Sequence, residues 1–302
     1  MPHLKITIAE LAHICGVSPG TVDRALNGRT DINAETKQKI LIAAKHYGYR
    51  EFIKTKNTPE NRGQIGIIVF NLKNEYFSRL IMEIELTLRS YGLSAVIMMT
   101  HYDKQYEIEC IRNMYNMGVK GIVICAINHG KDFDNYLKLF NTPIVAVGND
   151  IGSVPYVGID DFSAMKELTL KALSKGFSNL IYFSPALIYK GVNAQTLRYE
   201  GFLSAAVNTN YTVLTDIDKI KENYDDKTAI ICSTDYYAFQ VYLKAKNTKI
   251  IGFDNLDAIE KYNMKIDSVG YSIPDIAKSA VDIIISNKSQ GVTVEHRIIE
   301  HE

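Results

Sequence analysis

The residues with the clearest chemistry sit in Ser18-Pro19-Gly20-Thr21-Val22-Asp23-Arg24-Ala25-Leu26-Asn27. Val22, Ala25 and Leu26 fall at helical spacing, so Pro19, Gly20, Thr21, Asp23 and Arg24 are left facing outward. A guanidinium fork on such a face can pair with the O6 and N7 of a guanine, and a threonine suits a phosphate or a thymine methyl. Asp23 is expected to brace Arg24 or to accept from a cytosine amino group, because a phosphate would repel it. Thr7, Ser18, Asn27 and Tyr49 complete the candidate DNA-facing set. A second group of polar and aromatic residues follows short β-branched runs: Asn74, Tyr76, Phe77, Asn149, Asp150, Asp235 and Asp254, with Arg198 in a helical stretch. Carboxylates, amides and an arginine fork hydrogen-bond paired hydroxyls of a sugar while a ring stacks on its apolar face. Asp and Asn after strands also serve simply as turn formers and helix caps.

The elements that must position these groups can be read from capping and periodicity. Thr7-Ile8-Ala9-Glu10 is a capping box opening a helix with Ile8, Leu11, Ala12 and Cys15 on one side, and Gly16 ends it. Ser18 caps a second helix with Pro19 at its first position, running to Asn27-Gly28. Asn33 caps a third, with Ile40, Leu41, Ala44 and Tyr47 expected on its buried side and Gly48 closing it. Helix, short glycine turn, helix and a bracing third helix is the helix-turn-helix arrangement, whose second helix enters the major groove. A three-helix packing module with no DNA role has the same outline. From Gln64 onward, strands at 65–69, 95–99, 121–125, 144–147, 180–183, 229–232 and 250–253 alternate with helices near 76–91, 104–117, 162–175, 195–207, 235–246 and 274–287. That alternation predicts an α/β body of two parallel sheets covered on both faces, with a ligand beyond the carboxyl ends of the strands. Val292 to the end reads as a closing strand and a charged tail.

Charge is distributed as this division requires. Residues 1–62 hold ten Lys/Arg and six Asp/Glu, a net +4, and the remainder carries −4, so only the head is suited to meet phosphate. No apolar run reaches the roughly 20 residues of a membrane span. The N-terminus lacks a secretion-signal pattern, and the four scattered cysteines read as thiols in a reducing cytoplasm. There is no G-x-G-x-x-G after the first strand, no P-loop, no H-E-x-x-H and no G-x-S-x-G. No cofactor, no metal and no catalytic constellation is therefore expected.

The run Ile6 to Ala12, then Gly16-Val17-Ser18, Thr21 to Gly28 and Tyr47-Gly48-Tyr49-Arg50 resembles the headpiece of the lactose-repressor (LacI-type) family. Four further motifs resemble the family in its order: Asn74-Glu75-Tyr76-Phe77, Val157-Gly158-Ile159-Asp160-Asp161, Arg198-Tyr199-Glu200-Gly201-Phe202 and Gly252-Phe253-Asp254-Asn255. The resemblance implies a cytoplasmic regulator, most simply a repressor, that reads a near-palindromic double-stranded DNA operator as a homodimer under control of a sugar-like effector. A sugar receptor without a DNA role is the alternative. It implies a helix-turn-helix domain over 1–50, a linker over 51–62 and a bilobed periplasmic-binding-protein-like domain over 63–302. Crossovers are expected near 159, 270 and 288, giving lobe 1 as 63–158 with 271–287 and lobe 2 as 159–270 with 288–302. By position, Tyr76 and Phe77 would stack on the ligand, Arg198 and Asp254 would grip its hydroxyls, and Asn149 and Asp150 would sit beside it. The chain departs from the family's pattern at Asp23, at Tyr271 (where relatives often carry Gln) and at Ser233-Thr234-Asp235 (where N-D is usual). The linker holds no Ala or Leu, leaving Phe52 and Ile53 as its only apolar wedges.

Overall fold

The structure, a computed structural model, describes residues 7–29, 31–46, 63–188 and 193–301. Tyr47, Gly48, Tyr49 and the linker expectations at 51–62 lie outside the described residues. The chain divides into two compact units, residues 1–61 and 62–302.

The first unit holds three helices, α1 (Ile8–Cys15), α2 (Pro19–Leu26) and α3 (Ala34–His46). The Thr7–Glu10 capping box is formed in both directions, and Gly16 takes the left-handed conformation, φ 68°, that ends α1. The Ser18 hydroxyl accepts from Thr21 N at 3.2 Å to open α2, and Asn33 Oδ1 accepts from Glu35 N at 2.8 Å to open α3. Leu11, Ala12, Cys15, Val22, Ala25, Ile40 and Ala44 form the core between them. Leu41, expected inside, is exposed, because one turn of α3 cannot turn both Ile40 and Leu41 toward the same narrow core.

The second unit carries two six-stranded sheets. In the first, β1 (Gln64–Val69), β2 (Ser94–Met99), β3 (Gly121–Ile124), β4 (Ile144–Val147), β5 (Tyr156–Gly158) and β11 (Val292–Thr293) lie in the order β11-β5-β4-β3-β1-β2, all parallel. In the second, β6 (Asn179–Phe183), β7 (Asn210–Leu214), β8 (Thr228–Cys232), β9 (Lys249–Ile251), β10 (Ile266–Tyr271) and β12 (His296–Ile299) lie in the order β12-β10-β9-β8-β6-β7. Only β12 runs antiparallel to its neighbour.

Strand side chains alternate between two faces, and each face meets its own helices. Ile65, Ile67 and Val69 pack with α4 (Glu75–Ser90) and α11 (Ile273–Ser286), whereas Ile68 packs with α5 (Lys104–Asn116) and α6 (Lys131–Leu137). In the second lobe α7 (Asp161–Ser174) and α8 (Asn193–Ala205) cover one face, and α9 (Asp235–Lys244) and α10 (Asp257–Lys261) the other.

The chain passes between lobes at 159–160, at Ser272 and at 294–295. The third passage was expected near 288. It falls later because Val292 and Thr293 first pair with β5 in lobe 1, and only His296–Ile299 joins β10 in lobe 2.

Helices α7 and α8 approach closely at Gly201, where an added Cβ would stand 2.3 Å from the Phe162 carbonyl oxygen. That oxygen belongs to helix backbone and cannot step aside, so Gly201→Ala is expected to destabilise by about 1–3 kcal/mol despite alanine's better helix propensity. Thermal unfolding should record a fall of about 2–4 °C per kcal/mol. An unchanged or higher Tm would show that the two helices separate freely.

Candidate functional site

In the head, Pro19, Gly20, Asp23 and Asn27 are exposed on α2, and Thr21 and Arg24 are partly so. The Thr7 and Ser18 hydroxyls are engaged in capping, and Ser18 Oγ lies 2.9 Å from Thr21 Oγ1. Arg24 Nε donates to Gly20 O at 3.1 Å, and its Nη1 stands 3.5 Å from Asp31 Oδ2. The brace expected from Asp23 thus comes from Asp31. Asp23 instead accepts from Asn27 Nδ2 at 3.1 Å, since residues four apart share a helix face and neighbours do not. Tyr49 lies outside the described residues.

In the body, one cavity of about 410 Å³ lies between the lobes, at the carboxyl ends of the parallel strands. Asn74, Tyr76, Phe77, Asn149, Arg198, Asp254 and Tyr271 all line it. At its lobe 2 wall Arg198, 7% exposed, is fixed from several directions. Nε donates to Asp161 Oδ1 at 2.7 Å, and Nη1 donates to Ser233 O at 2.7 Å and lies 3.4 Å from Asp254 Oδ1. The guanidinium carbon sits 3.6 Å from the centre of the Phe253 ring. Burial opposes the charge, but Asp161 and Asp254 outweigh it and hold Arg198 above its ordinary pKa. Asp161 was visible in the Val157–Asp161 motif without being assigned a place in the site. Its role depends on Arg198 reaching it across 37 positions, which no local pattern reports.

Asp254 accepts from the Tyr271 hydroxyl at 2.8 Å. Burial lifts its pKa to about 6 against the pull of Arg198. It occupies a backbone conformation that L-residues rarely adopt, φ 113°, and Asn255 follows at φ 46°. Asp254 N donates to Val269 O, Asn255 N to Ser268 Oγ, and Leu256 N to Asp235 Oδ2, so three consecutive amides are tied down. This places Asp235 as a fastener behind the turn rather than a cavity residue. It is fully buried and also accepts from Ser268 Oγ at 2.8 Å.

Asp150, the other expected contact outside the lining, is exposed and accepts from Gly152 N in a tight turn. Asn149 does line the cavity, but its amide is committed to backbone, donating to Ala126 O at 2.8 Å in lobe 1 and accepting from Ala194 N at 3.0 Å in lobe 2. The Asn74 side chain caps α4 through Tyr76 N. Sequence reasoning missed Phe70, His101, Tyr102, Tyr156 and Gln195 as lining residues. Those after β1 and β2 could have been found by extending to every strand end the rule applied to the other strands. Among the described residues no group of three or more His, Cys, Asp or Glu could hold a metal ion, and no helix is long and apolar enough to cross a membrane.

Burial, and then the charge of Asp254, raises the Asp235 pKa to about 7. Between about pH 4 and 7 the unfolded chain has lost a proton that native Asp235 still holds, so unfolding becomes easier as pH rises through that window. Asp235→Asn keeps one acceptor and removes the titration. The decline of Tm between pH 5 and 8 is expected to be shallower in this variant than in the wild type, and parallel curves from the two would refute the assignment.

Two family models match the chain. "Bacterial regulatory proteins, lacI family" covers residues 7–51, and "Periplasmic binding proteins and sugar binding domain of LacI family" covers residues 62–251. The NTD biosynthesis operon regulator NtdR of Bacillus subtilis is 24% identical in an alignment covering 97% of this chain and 96% of that protein. Among solved structures, the periplasmic binding protein/LacI transcriptional regulator of Alkaliphilus metalliredigens complexed with D-xylulofuranose superposes with TM-score 0.69 at 21% identity, covering 79% of this chain and 98% of that one. The lac repressor dimer bound to operator and the anti-inducer ONPF gives 0.68 at 13% identity, with 98% of both chains covered. A helix-turn-helix head followed by a two-sheet α/β body, matched by these two family models over most of its length, makes the chain a member of the LacI family of DNA-binding transcriptional regulators.

Proposed function

We propose that the protein is a cytoplasmic transcriptional repressor that binds a near-palindromic operator as a homodimer and changes its operator affinity when a sugar or sugar derivative enters the interlobe cavity. The observation that carries this reading is the pairing, in one chain, of an outward-facing Thr21–Arg24 helix surface with a cavity walled by Arg198, Asp254 and aromatic rings. The operator complex of the lac repressor dimer and the D-xylulofuranose complex of the Alkaliphilus protein support it by analogy. A sugar receptor without a DNA role would not need a capped second helix that keeps Pro19, Gly20, Thr21 and Arg24 on its outer side. No catalytic step is assigned to the cavity.

At the operator, Arg24 exchanges an exposed pairing with Asp31 for a bidentate contact to a guanine edge. Pro19 and Gly20 at the start of α2 select neighbouring bases, and Thr21 contacts phosphate or a thymine methyl. At the cavity, Tyr76 and Phe77 stack on the sugar while Arg198, Asp254 and Tyr271 offer paired polar contacts. A ligand that touches both lobes favours one lobe arrangement by its differential affinity for the two, which is the whole of its leverage on DNA binding.

The test is selection from random-sequence DNA followed by gel-shift titration. An enriched inverted repeat is expected, and Arg24→Ala should weaken binding to it by about 10–100-fold, the scale of one lost bidentate base contact. The reading is refuted if no repeat is enriched or if the variant binds as the wild type does.

A further inference from the structure

Gly158 ends β5 just before the first passage between the lobes. Its backbone does not call for glycine, since it is not among the residues at positive φ. The reason lies two positions back. Side chains at i and i+2 share one face of a strand, and the Tyr156 ring lies over Gly158 so closely that an added Cβ would overlap its hydroxyl and Cζ. Folded over in this way, the Tyr156 hydroxyl donates to Ile159 O at 3.3 Å. The next residue, Asp160, already belongs to lobe 2 as the cap of α7, accepting from Ser163 N at 2.9 Å. Tyr156 of lobe 1 therefore holds the carbonyl of the crossover peptide itself.

The surroundings of this bond mark it as part of the hinge. Val294 N, at the third passage, donates to Gly158 O at 2.7 Å, so two of the three passages run side by side here. Gly291 approaches so closely that an added Cβ there would overlap the Tyr156 carbonyl oxygen. Tyr156, Gly158 and Ile159 all line the interlobe cavity, so the bond lies in the cavity wall. Tyr271 stands just before the second passage, but its hydroxyl is spent on Asp254, within lobe 2. Of the two tyrosines, only Tyr156 ties its hydroxyl to a passage.

We infer that Tyr156 is a lock on the hinge: its hydroxyl, reaching Ile159 O across a glycine with no side chain to obstruct it, fixes the first passage, and losing that bond lets the lobes part more often. The inference concerns the regulation of the site described above, and it rests on the regulator reading only for its consequence at DNA.

The cavity wall carries its own reporter of lobe opening. Cys125 lines the cavity, is 2% exposed, and has its thiol pushed up to about 12 by burial, so it reacts with iodoacetamide only when the lobes part. Cys110 and Cys232 are buried in two other cores and report the opening of those cores instead. The full chain is labelled over time, and the three sites are separated by peptide mass mapping. Tyr156→Phe keeps the ring and removes the donor. It should speed labelling of Cys125 by about fivefold, the factor that one net hydrogen bond makes in an opening equilibrium, while Cys110 and Cys232 keep their wild-type rates. Gly158→Ala, which displaces the ring with its hydroxyl, should act in the same direction. Unchanged Cys125 labelling in Tyr156→Phe would overturn the lock. A rise shared by all three cysteines would also overturn it, because it reports general loosening. On the selected operator, Tyr156→Phe should change affinity by about fivefold or more, the lower end of ordinary coupling between sites. Equal operator affinity alongside faster Cys125 labelling would confine the lock to the body and overturn its regulatory role. If no operator is enriched, the regulator reading fails while the labelling still decides the lock, so the two failures are distinguished.

Discussion

Among the described residues of the body, one cation is buried, and the cavity wall is built around it. Arg198 is held in the wall of the cavity by Asp161 from the start of α7, by Ser233 O after β8 and by Asp254 after β9, with the Phe253 ring against its carbon. Taking a guanidinium out of water costs several kcal/mol, and the cost is met only when the partners and hydrogen bonds are all in place. One side chain therefore ties together the ends of several elements that lie far apart in sequence. Removing either charge would strand the other without water, a loss of about 3–5 kcal/mol for a buried pair.

The same cation organises the acids around it. Asp161, Asp254 and Asp235 all sit out of water with raised pKa values. Asp161 and Asp254 touch Arg198, whereas Asp235 does not touch it and feels the charge of Asp254 instead. Asp235, which lacks the cation's pull, is raised to about 7, whereas Asp254 beside the cation is raised to about 6. The two acceptor contacts of Asp235, from Leu256 N and Ser268 Oγ, clamp the turn that aims Asp254 at the cavity. A cavity wall that presents both signs of charge, each already partnered within the protein, suits a neutral polyhydroxylated ligand. Hydroxyl groups can add to such a network as donor and acceptor without bringing a new charge that must be desolvated.

Much of this was legible in the sequence, for identifiable reasons. The head could be read because its caps are local: Thr7 with Glu10, Ser18 with Thr21 and Gly16 at positive φ each involve residues within one turn. The main strands and helices could be read because each buried face repeats at its own period. Legibility failed where a decision was made at long range. β5 and β11 carry only three and two residues, too few for a period, β7 is exposed along its first three positions and so shows no buried face, and β11 joins lobe 1 through a partner 135 positions away. Asp150 and Asp235 follow strands just as Asp254 does, and nothing local distinguishes a carboxylate that faces a cavity from one that holds a turn. Asn149 lines the cavity, and its two backbone partners, which no local pattern reports, belong to different lobes and lie 23 and 45 positions away. Asp31 as the partner of Arg24 was missed because it comes from the loop after α2 rather than from the helix itself.

The contacts between lobes bear on how a ligand would be sensed. Asn149 joins Ala126 O in lobe 1 to Ala194 N in lobe 2, and Arg79 of α4 lies 3.1 Å from Asp257 of α10. Leu256 of lobe 2 is buried in the core that α4 and α11 build in lobe 1. These contacts differ in kind. The Arg79–Asp257 pair is exposed at its acidic end and contributes little, as surface pairs do. The Leu256 contact buries apolar surface and holds the lobes together whether or not a ligand is present. The Asn149 amide lies in the cavity wall itself, so a ligand hydroxyl must either add to its two backbone bonds or compete with them. On the proposed sugar reading, that one of the three contacts would register occupancy of the cavity directly. Under that proposal, the free energy of a ligand would reach the lobe arrangement most directly through an amide that already spans both lobes.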